Sequence, residues 1–104
     1  MSDFVLLYQG GSMPDTDEAQ KQAMEAWGTW FTSMGSAVKD PGNPMAAAKS
    51  IASDGAVSDA VGASLTGYTI LTADSIDHAL ALAKGCPVLQ GGATITVYEV
   101  HAVM

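Results

Sequence analysis

The sequence predicts an α+β domain in which two helices cover one face of a four-stranded, mainly antiparallel sheet. Three observations predict this class. The chain opens with a short apolar run at residues 4–8, and a helix-period pattern follows it. The second half reads as strand, capped helix and strand, at residues 68–72, 75–84 and 94–103. A short strand and a small hairpin separate the halves, which together make a ferredoxin-like β-α-β-β-α-β unit.

The first strand, residues 4–8, is apolar on both faces, so we expect it either to be central in the sheet or to be covered by helices on one side and by another surface on the other. The first helix has one heavy apolar face, formed by Met24, Trp27, Trp30, Phe31 and Met34. We predict that Asp15 caps this helix, with Glu18 three residues later, and that Gly35 ends it. Trp30 is expected to lie buried between helix and sheet.

The middle of the chain contains a short strand and a hairpin. The short strand is predicted at residues 36–39, and the Asp-Pro-Gly-Asn-Pro sequence at 40–44 predicts a turn after it. Residues 45–66 combine Ala-rich helical propensity with short alternating patterns. Because Asp54-Gly55 is a strong hairpin turn, we interpret residues 48–53 and 56–59 as a hairpin inserted into the fold.

The second helix is predicted to begin at Asp74 or Ser75 and to run to about residue 84. Its Leu80 is expected to be buried against the sheet. The last strand carries apolar residues on both of its faces. Either both faces are buried, or a bulge resets the phase of the strand near Val97.

Composition limits the classes of function. The 104 residues make a single domain, residues 1–104, and a 48% apolar content is too high for a disordered chain. The net charge of −7 and the absence of arginine argue against nucleic-acid binding. Cys86 is the only cysteine, so no intrachain disulfide can form. Without a signal-peptide pattern or a long apolar run, we predict a cytoplasmic protein that does not enter membranes.

No metal or cofactor is predicted, because the two histidines, His78 and His101, lack metal-ligand spacing. The candidate site residues are aromatic or polar. Those predicted to contact a ligand are Tyr8, Trp27, Trp30, Asn43 and Tyr68, and the candidate catalytic residue is Asp40.

Each candidate also has a structural interpretation. The tryptophans could wall a pocket for a planar ligand, or they could be helix-to-sheet core. Asp40 could act as a general base, or it could cap the turn that it begins. The tyrosine hydroxyls would be polar groups on an otherwise apolar wall.

The ordered set of segments resembles the YCII-related, or DGPF, family over nearly the whole chain. The segments that carry the resemblance are 4–8, 27–31, 35–44, Asp54-Gly55, 67–87 and 91–100. The resemblance implies a ferredoxin-like fold that pairs into a dimeric α/β barrel. That would explain strands apolar on both faces, because helices would cover one side and the sheet of a partner copy the other. We therefore expect a homodimer that pairs through its sheet face.

Two departures from the family pattern bear on activity. The DGPF signature reads Asp54-Gly55-Ala56-Val57 here, without its Pro-Phe. Some family members carry a His on the first helix and an Asp after it as a proposed catalytic pair, whereas this helix has no His. Two functions remain open. One is the binding of a small organic ligand in an aromatic-lined cleft between sheet and first helix. The other is a cofactor-free isomerase, lyase or monooxygenase with Asp40 as acid or base.

Overall fold

The computed structural model describes residues 1–11, 15–59 and 65–101. Two helices and six strands make up the described chain. In order they are β1 Ser2–Gln9, α1 Asp17–Met34, β2 Val38–Asp40, β3 Lys49–Ile51, β4 Val57–Asp59, β5 Leu65–Ala73, α2 Ile76–Ala83 and β6 Thr94–Glu99. Short 3-10 turns at residues 35–37 and 87–91 precede β2 and β6.

Four of the strands form one antiparallel sheet in the order β2-β5-β1-β6. Phe4 of β1 lies opposite Leu71 of β5, and Leu6 lies opposite Val97 of β6. This order, with both helices on one face, is the ferredoxin-like topology, so the predicted fold class is confirmed. The strands β3 and β4 form the predicted hairpin as a separate two-stranded sheet.

The core lies between the helices and one face of the sheet. The largest fully buried side chains all belong to β1 and β5, and they are Phe4, Leu6, Leu71 and Thr69. Trp30 of α1 packs on this face and is buried, as predicted. Its indole Nε1 donates to the carbonyl oxygen of Leu82 at 3.0 Å. The hydrogen bond satisfies the polar atom of a buried ring and ties α1 to the end of α2.

Leu80 is 42% exposed, so the prediction that it is buried is wrong. Ala79 and Ala83 occupy the buried side of α2 instead. Small side chains let the helix backbone approach the sheet closely, and this rotates Leu80 to the flank of the helix. An Ala/Leu-rich helix does not reveal which of its two residue types faces inward.

The predicted cap of α1 is also wrong. Thr16 is the N-cap, and its side-chain oxygen accepts a hydrogen bond from the Ala19 backbone N–H at 3.0 Å. Because the helix begins at Asp17, Thr16 rather than Asp15 is the last extended residue before it. Gly35 ends the helix at a φ of 55°, as predicted.

Several strand boundaries differ from the prediction. The chain makes a 3-10 turn through residues 35–37, so β2 begins at Val38 instead of residue 36. The strand β6 ends at Glu99, and residues 102 and 103 of the predicted strand lie outside the described chain. Its pairing with β1 is continuous, so no bulge occurs near Val97. Tyr98 consequently points away from the helices and is 57% exposed.

Neither described helix packs on the opposite face of the sheet, which we call the open face. Its apolar side chains, partly exposed, are Val5, Leu7, Tyr68, Ile70 and Tyr98. At one end of this face the Asp3 carboxylate accepts hydrogen bonds from Lys39 and Thr72. Among the described residues no helix has both the length and the hydropathy to cross a membrane.

Candidate functional site

Four aromatic rings gather between α1 and β1, and we call them the aromatic cluster: Tyr8, Trp27, Trp30 and Phe31. The Trp27 ring centroid is 5.7 Å from Tyr8, 5.6 Å from Trp30 and 5.7 Å from Phe31. The first two contacts are edge-to-face, with interplanar angles of 62° and 73°, an arrangement that aromatic rings prefer. Helical spacing of three and four residues places the three α1 rings on one face.

The cluster extends from the core to the surface of the molecule. Tyr8 and Trp30 are buried, whereas Trp27 and Phe31 are partly exposed. The exposed parts of these two rings are therefore the apolar surface that a planar molecule approaching α1 would meet.

A chain of hydrogen bonds runs beneath the cluster. The Tyr8 hydroxyl donates to Thr69 Oγ1 at 2.5 Å, and the Thr69 hydroxyl donates to the carbonyl oxygen of Pro41 at 3.0 Å. The buried thiol of Cys86 lies against the Tyr8 hydroxyl. Burial raises the pKa of the Tyr8 phenol and also that of the Cys86 thiol. Both groups are consequently neutral at pH 7, and the chain offers hydrogen bonds rather than charge.

The turn after β2 closes over the strand β5. Gly42 has a φ of +79°, and a Cβ built on it would lie 1.7 Å from the carbonyl oxygen of Tyr68. Its backbone N–H donates to Asp40 Oδ1 at 2.9 Å. The same turn carries the Pro41 carbonyl that accepts the Thr69 hydrogen bond. Asp40 thus acts as a cap that shapes the turn, half-buried beside the end of the hydrogen-bond chain.

Asn43 is exposed in this turn, but its backbone lies close to the cluster. A Cβ built on Gly67 would be 3.4 Å from the Asn43 carbonyl oxygen and 3.2 Å from the Tyr8 ring. The turn therefore borders the Tyr8 side of the cluster. Tyr68 differs, because the alternation of β5 places its side chain on the open face, across the sheet from the cluster.

Thr69 is the functional candidate that sequence reasoning missed. It is the fully buried polar residue of β5 and connects Tyr8 to the turn. A signal was present, since a threonine shares a face with Leu71 in an otherwise apolar strand and must find a hydrogen-bond partner there. Its partner Tyr8 is 61 residues away in the sequence, so the pairing could not be seen from local pattern.

A surface depression and the acidic, His and Cys side chains were the remaining places for a site. A wide, shallow depression on the outer side of α1 is lined by Glu25, Gly28, Thr29, Thr32 and Ser33. These residues occupy the helix face that points away from the aromatic cluster. Over residues 1–11, 15–59 and 65–101, no group of three or more His, Cys, Asp or Glu side chains is placed to hold a metal ion.

Comparison with solved structures finds similarity to 5-chloro-2-hydroxyhydroquinone dehydrochlorinase from Burkholderia phenoliruptrix AC1100, in complex with 2,5-dihydroxybenzoquinone. The TM-score is 0.55 at 15% sequence identity, over 94% of this chain and 93% of that chain. No protein-family model and no curated protein sequence matches the chain. Identity this low shows the fold alone, which is the α+β arrangement of two helices on a four-stranded, mainly antiparallel sheet.

Proposed function

We propose that this protein binds a small planar organic ligand at the aromatic cluster. The observation that carries the proposal is the combination of exposed ring surface with a polar group beneath it. Trp27 and Phe31 offer flat apolar area, while Tyr8 lies under them with its hydroxyl bonded to Thr69. Binding sites for small molecules typically combine an apolar wall with a few fixed polar groups.

The chemistry of the cluster favours a hydroxylated aromatic or quinone ligand that carries no carboxylate. The chain has no arginine to hold a carboxylate in a bidentate pair. The groups beneath the rings, the Tyr8 hydroxyl and the Cys86 thiol, are neutral, so a ligand with hydroxyl or carbonyl oxygens suits this surface better than a carboxylate. The dihydroxybenzoquinone bound by the structural neighbour belongs to this class and supports the same choice here.

We infer in addition that the chain is a distant YCII-related protein and forms a homodimer through its open face. The helices cover one face of the sheet, and the apolar side chains of the other remain partly exposed. Contiguous apolar faces of this kind are rarely left in water. An obligate interface would bury about 2,000 Å² or more in total. A monomeric mass by light scattering at micromolar concentration would exclude this dimer.

Binding is tested by titrating the protein with catechol, hydroxyhydroquinone and 2,5-dihydroxybenzoquinone in a calorimeter. Trp27→Leu removes the central ring and is expected to weaken binding at least ~5-fold, since a stacked ring contributes about 1 kcal/mol or more. Tyr8→Phe removes the hydroxyl alone and should weaken binding ~5-fold, the effect of about one hydrogen bond. Tyr98→Phe is the matched control on the open face. No saturable binding at millimolar ligand, or equal affinity in Trp27→Leu, would refute the proposal.

A catalytic form of the same proposal gives Asp40 the role of acid or base. Its support is position, because the carboxylate lies in the turn that also supplies the Pro41 carbonyl to the hydrogen-bond chain. Asp40→Asn keeps an oxygen that can accept the Gly42 hydrogen bond but removes the base. The test uses a compound that the wild-type protein converts, with the conversion followed by absorbance. If Asp40 is catalytic, Asp40→Asn still binds this compound but converts it at least ~100-fold more slowly. Equal conversion would remove Asp40 from the mechanism.

A further inference from the structure

Residues 49–59 form a two-stranded hairpin separate from the main sheet, and we call this hairpin the arm. Its two strands pair Lys49 with Asp59 and Ile51 with Val57, so these four side chains share one face. Lys49 and Asp59 form an ion pair across the strands. Ile51 is 73% exposed and Val57 is 66% exposed. The arm therefore presents an apolar pair to water next to a neutralised charge pair.

The arm is shaped by its own turn rather than by packing on the body of the molecule. The Ala52 N–H donates to the Ala56 carbonyl at 2.8 Å, and the Gly55 N–H donates to the Ala52 carbonyl at 2.9 Å. Asp54 Oδ1 accepts from the Ala56 N–H at 2.9 Å. All six strand residues are nevertheless exposed. An isolated two-stranded hairpin is only marginally stable in water, so an arm with this form gains stability from a surface that covers it.

The accessible surface area of the chain indicates how much of its surface a partner could cover. The accessible surface is 7179 Å², whereas a compact monomer of this mass exposes about 5,500 Å², leaving a surplus of about 1,700 Å². The radius of gyration, 15.2 Å, also exceeds the ~13 Å expected for this length. A stable dimer removes about 1,000 Å² or more from each copy. The surplus is therefore large enough for self-association that includes the arm as well as the open face.

We propose that the arm of each copy wraps onto a second copy of this chain, with Ile51 and Val57 lying against the flank of the partner's open face. This inference rests on the proposed homodimer. Facing sheets pack about 10 Å apart, and a strand advances about 3.3 Å per residue. The five steps from Lys49 to Asp54 can thus span about 17 Å, more than the gap between the sheets.

A second copy fits the arm better than an unrelated partner for two reasons. The complementary apolar surface, the open face, is already present on the same chain. A two-fold axis then makes the arm-to-face contact twice and closes the assembly. In addition, Lys49 is neutralised by Asp59 within the arm, so burying this face leaves no unpaired lysine against a partner of the same acidic composition.

The test compares dimer dissociation constants by sedimentation over a dilution series. Ile51→Thr with Val57→Thr keeps β-branched side chains, and so the hairpin, but removes apolar surface from both arms. We expect this double variant to dimerise at least ~30-fold more weakly than wild type. Ser50→Ala with Ser58→Ala, on the other face of the arm, is the matched control and should change the constant less than ~3-fold.

Hydrogen exchange of the arm amides gives a second measurement. The Ala52 and Gly55 amides should be protected in the wild-type dimer and should exchange faster in the Ile51→Thr, Val57→Thr variant. A wild-type dimer whose affinity is unchanged by that variant overturns the arm proposal and leaves the sheet-face dimer intact. A monomeric wild type overturns both. Protection of the arm in a monomer would instead assign it to contacts within its own chain.

Discussion

Replacing Gly42 with alanine should destabilise the fold more than a positive φ alone explains. Gly42 has a φ of +79°, where an L side chain is strained, and the added Cβ would lie 1.7 Å from the Tyr68 carbonyl oxygen and 2.6 Å from its carbonyl carbon. The obstacle is backbone of a central sheet strand, so it cannot move aside as a flexible side chain would.

Two costs combine in this variant. The left-handed conformation costs an alanine about 1 kcal/mol. Overpacking against rigid neighbours costs a further 1–3 kcal/mol, roughly, as the turn is pushed off β5. We therefore expect Gly42→Ala to lower the free energy of unfolding by about 2–4 kcal/mol. For a domain of this size that corresponds to a fall of roughly 10–25 °C in Tm.

Gly92→Ala separates the two costs. Gly92 has a φ of +87°, and nothing lies within 4 Å of the Cβ that the substitution would add. This control should lose only about 1 kcal/mol. Urea unfolding followed by tryptophan fluorescence measures both variants. If Gly42→Ala is no less stable than Gly92→Ala, the turn does not lie close enough to β5 to exclude a Cβ at position 42.

Two further predictions concern the hydrogen-bond chain. Thr69→Val keeps the side-chain shape but removes the hydrogen bonds that Thr69 makes with the Tyr8 hydroxyl and the Pro41 carbonyl, so urea unfolding should show a loss of about 2–3 kcal/mol. Tyr8→Phe should lose only about 1 kcal/mol, and equal losses would contradict the linked arrangement. Because burial raises the pKa of Cys86 and of Tyr8, the folded protein keeps these protons to higher pH than the unfolded chain does. The contribution of these two groups to the free energy of unfolding should then be constant below about pH 8, fall above the unfolded pKa values near 8.5 and 10, and fall less steeply above pH 10 in Tyr8→Phe. A pH-independent free energy between pH 8 and 10.5 would refute this.

Much of the fold could be predicted because its signals are local. The apolar run of β1, the helical spacing of Trp27 and Trp30, and the Asp54-Gly55 hairpin turn each involve residues within one element. Propensity and periodicity act over such short distances. The incorrect predictions also concern single elements, but their outcomes depend on contacts outside those elements. The inward side of α2 was decided by how closely a helix of small side chains can approach the sheet.

The candidate site was predictable in its residue types and not in its assembly. Alternation along a strand separates residues that point to opposite faces, but the sequence does not state which face the helices cover. Only the tertiary structure shows that Tyr8 lies under α1 while Tyr68 lies on the open face. The Tyr8–Thr69 contact joins residues 61 positions apart, and no local pattern encodes such a pair.

The elements, their order and the acidic, arginine-free composition follow from the amino-acid sequence alone, because they depend on neighbouring residues or on residue counts. The tertiary structure decided which polar groups meet in the core and which apolar side chains remain outside it. It gathered Tyr8, Thr69 and the Pro41 carbonyl into one chain, and it left Ile51 and Val57 exposed on the arm. Those outcomes depend on strand register and on helix approach, which arise from long-range packing.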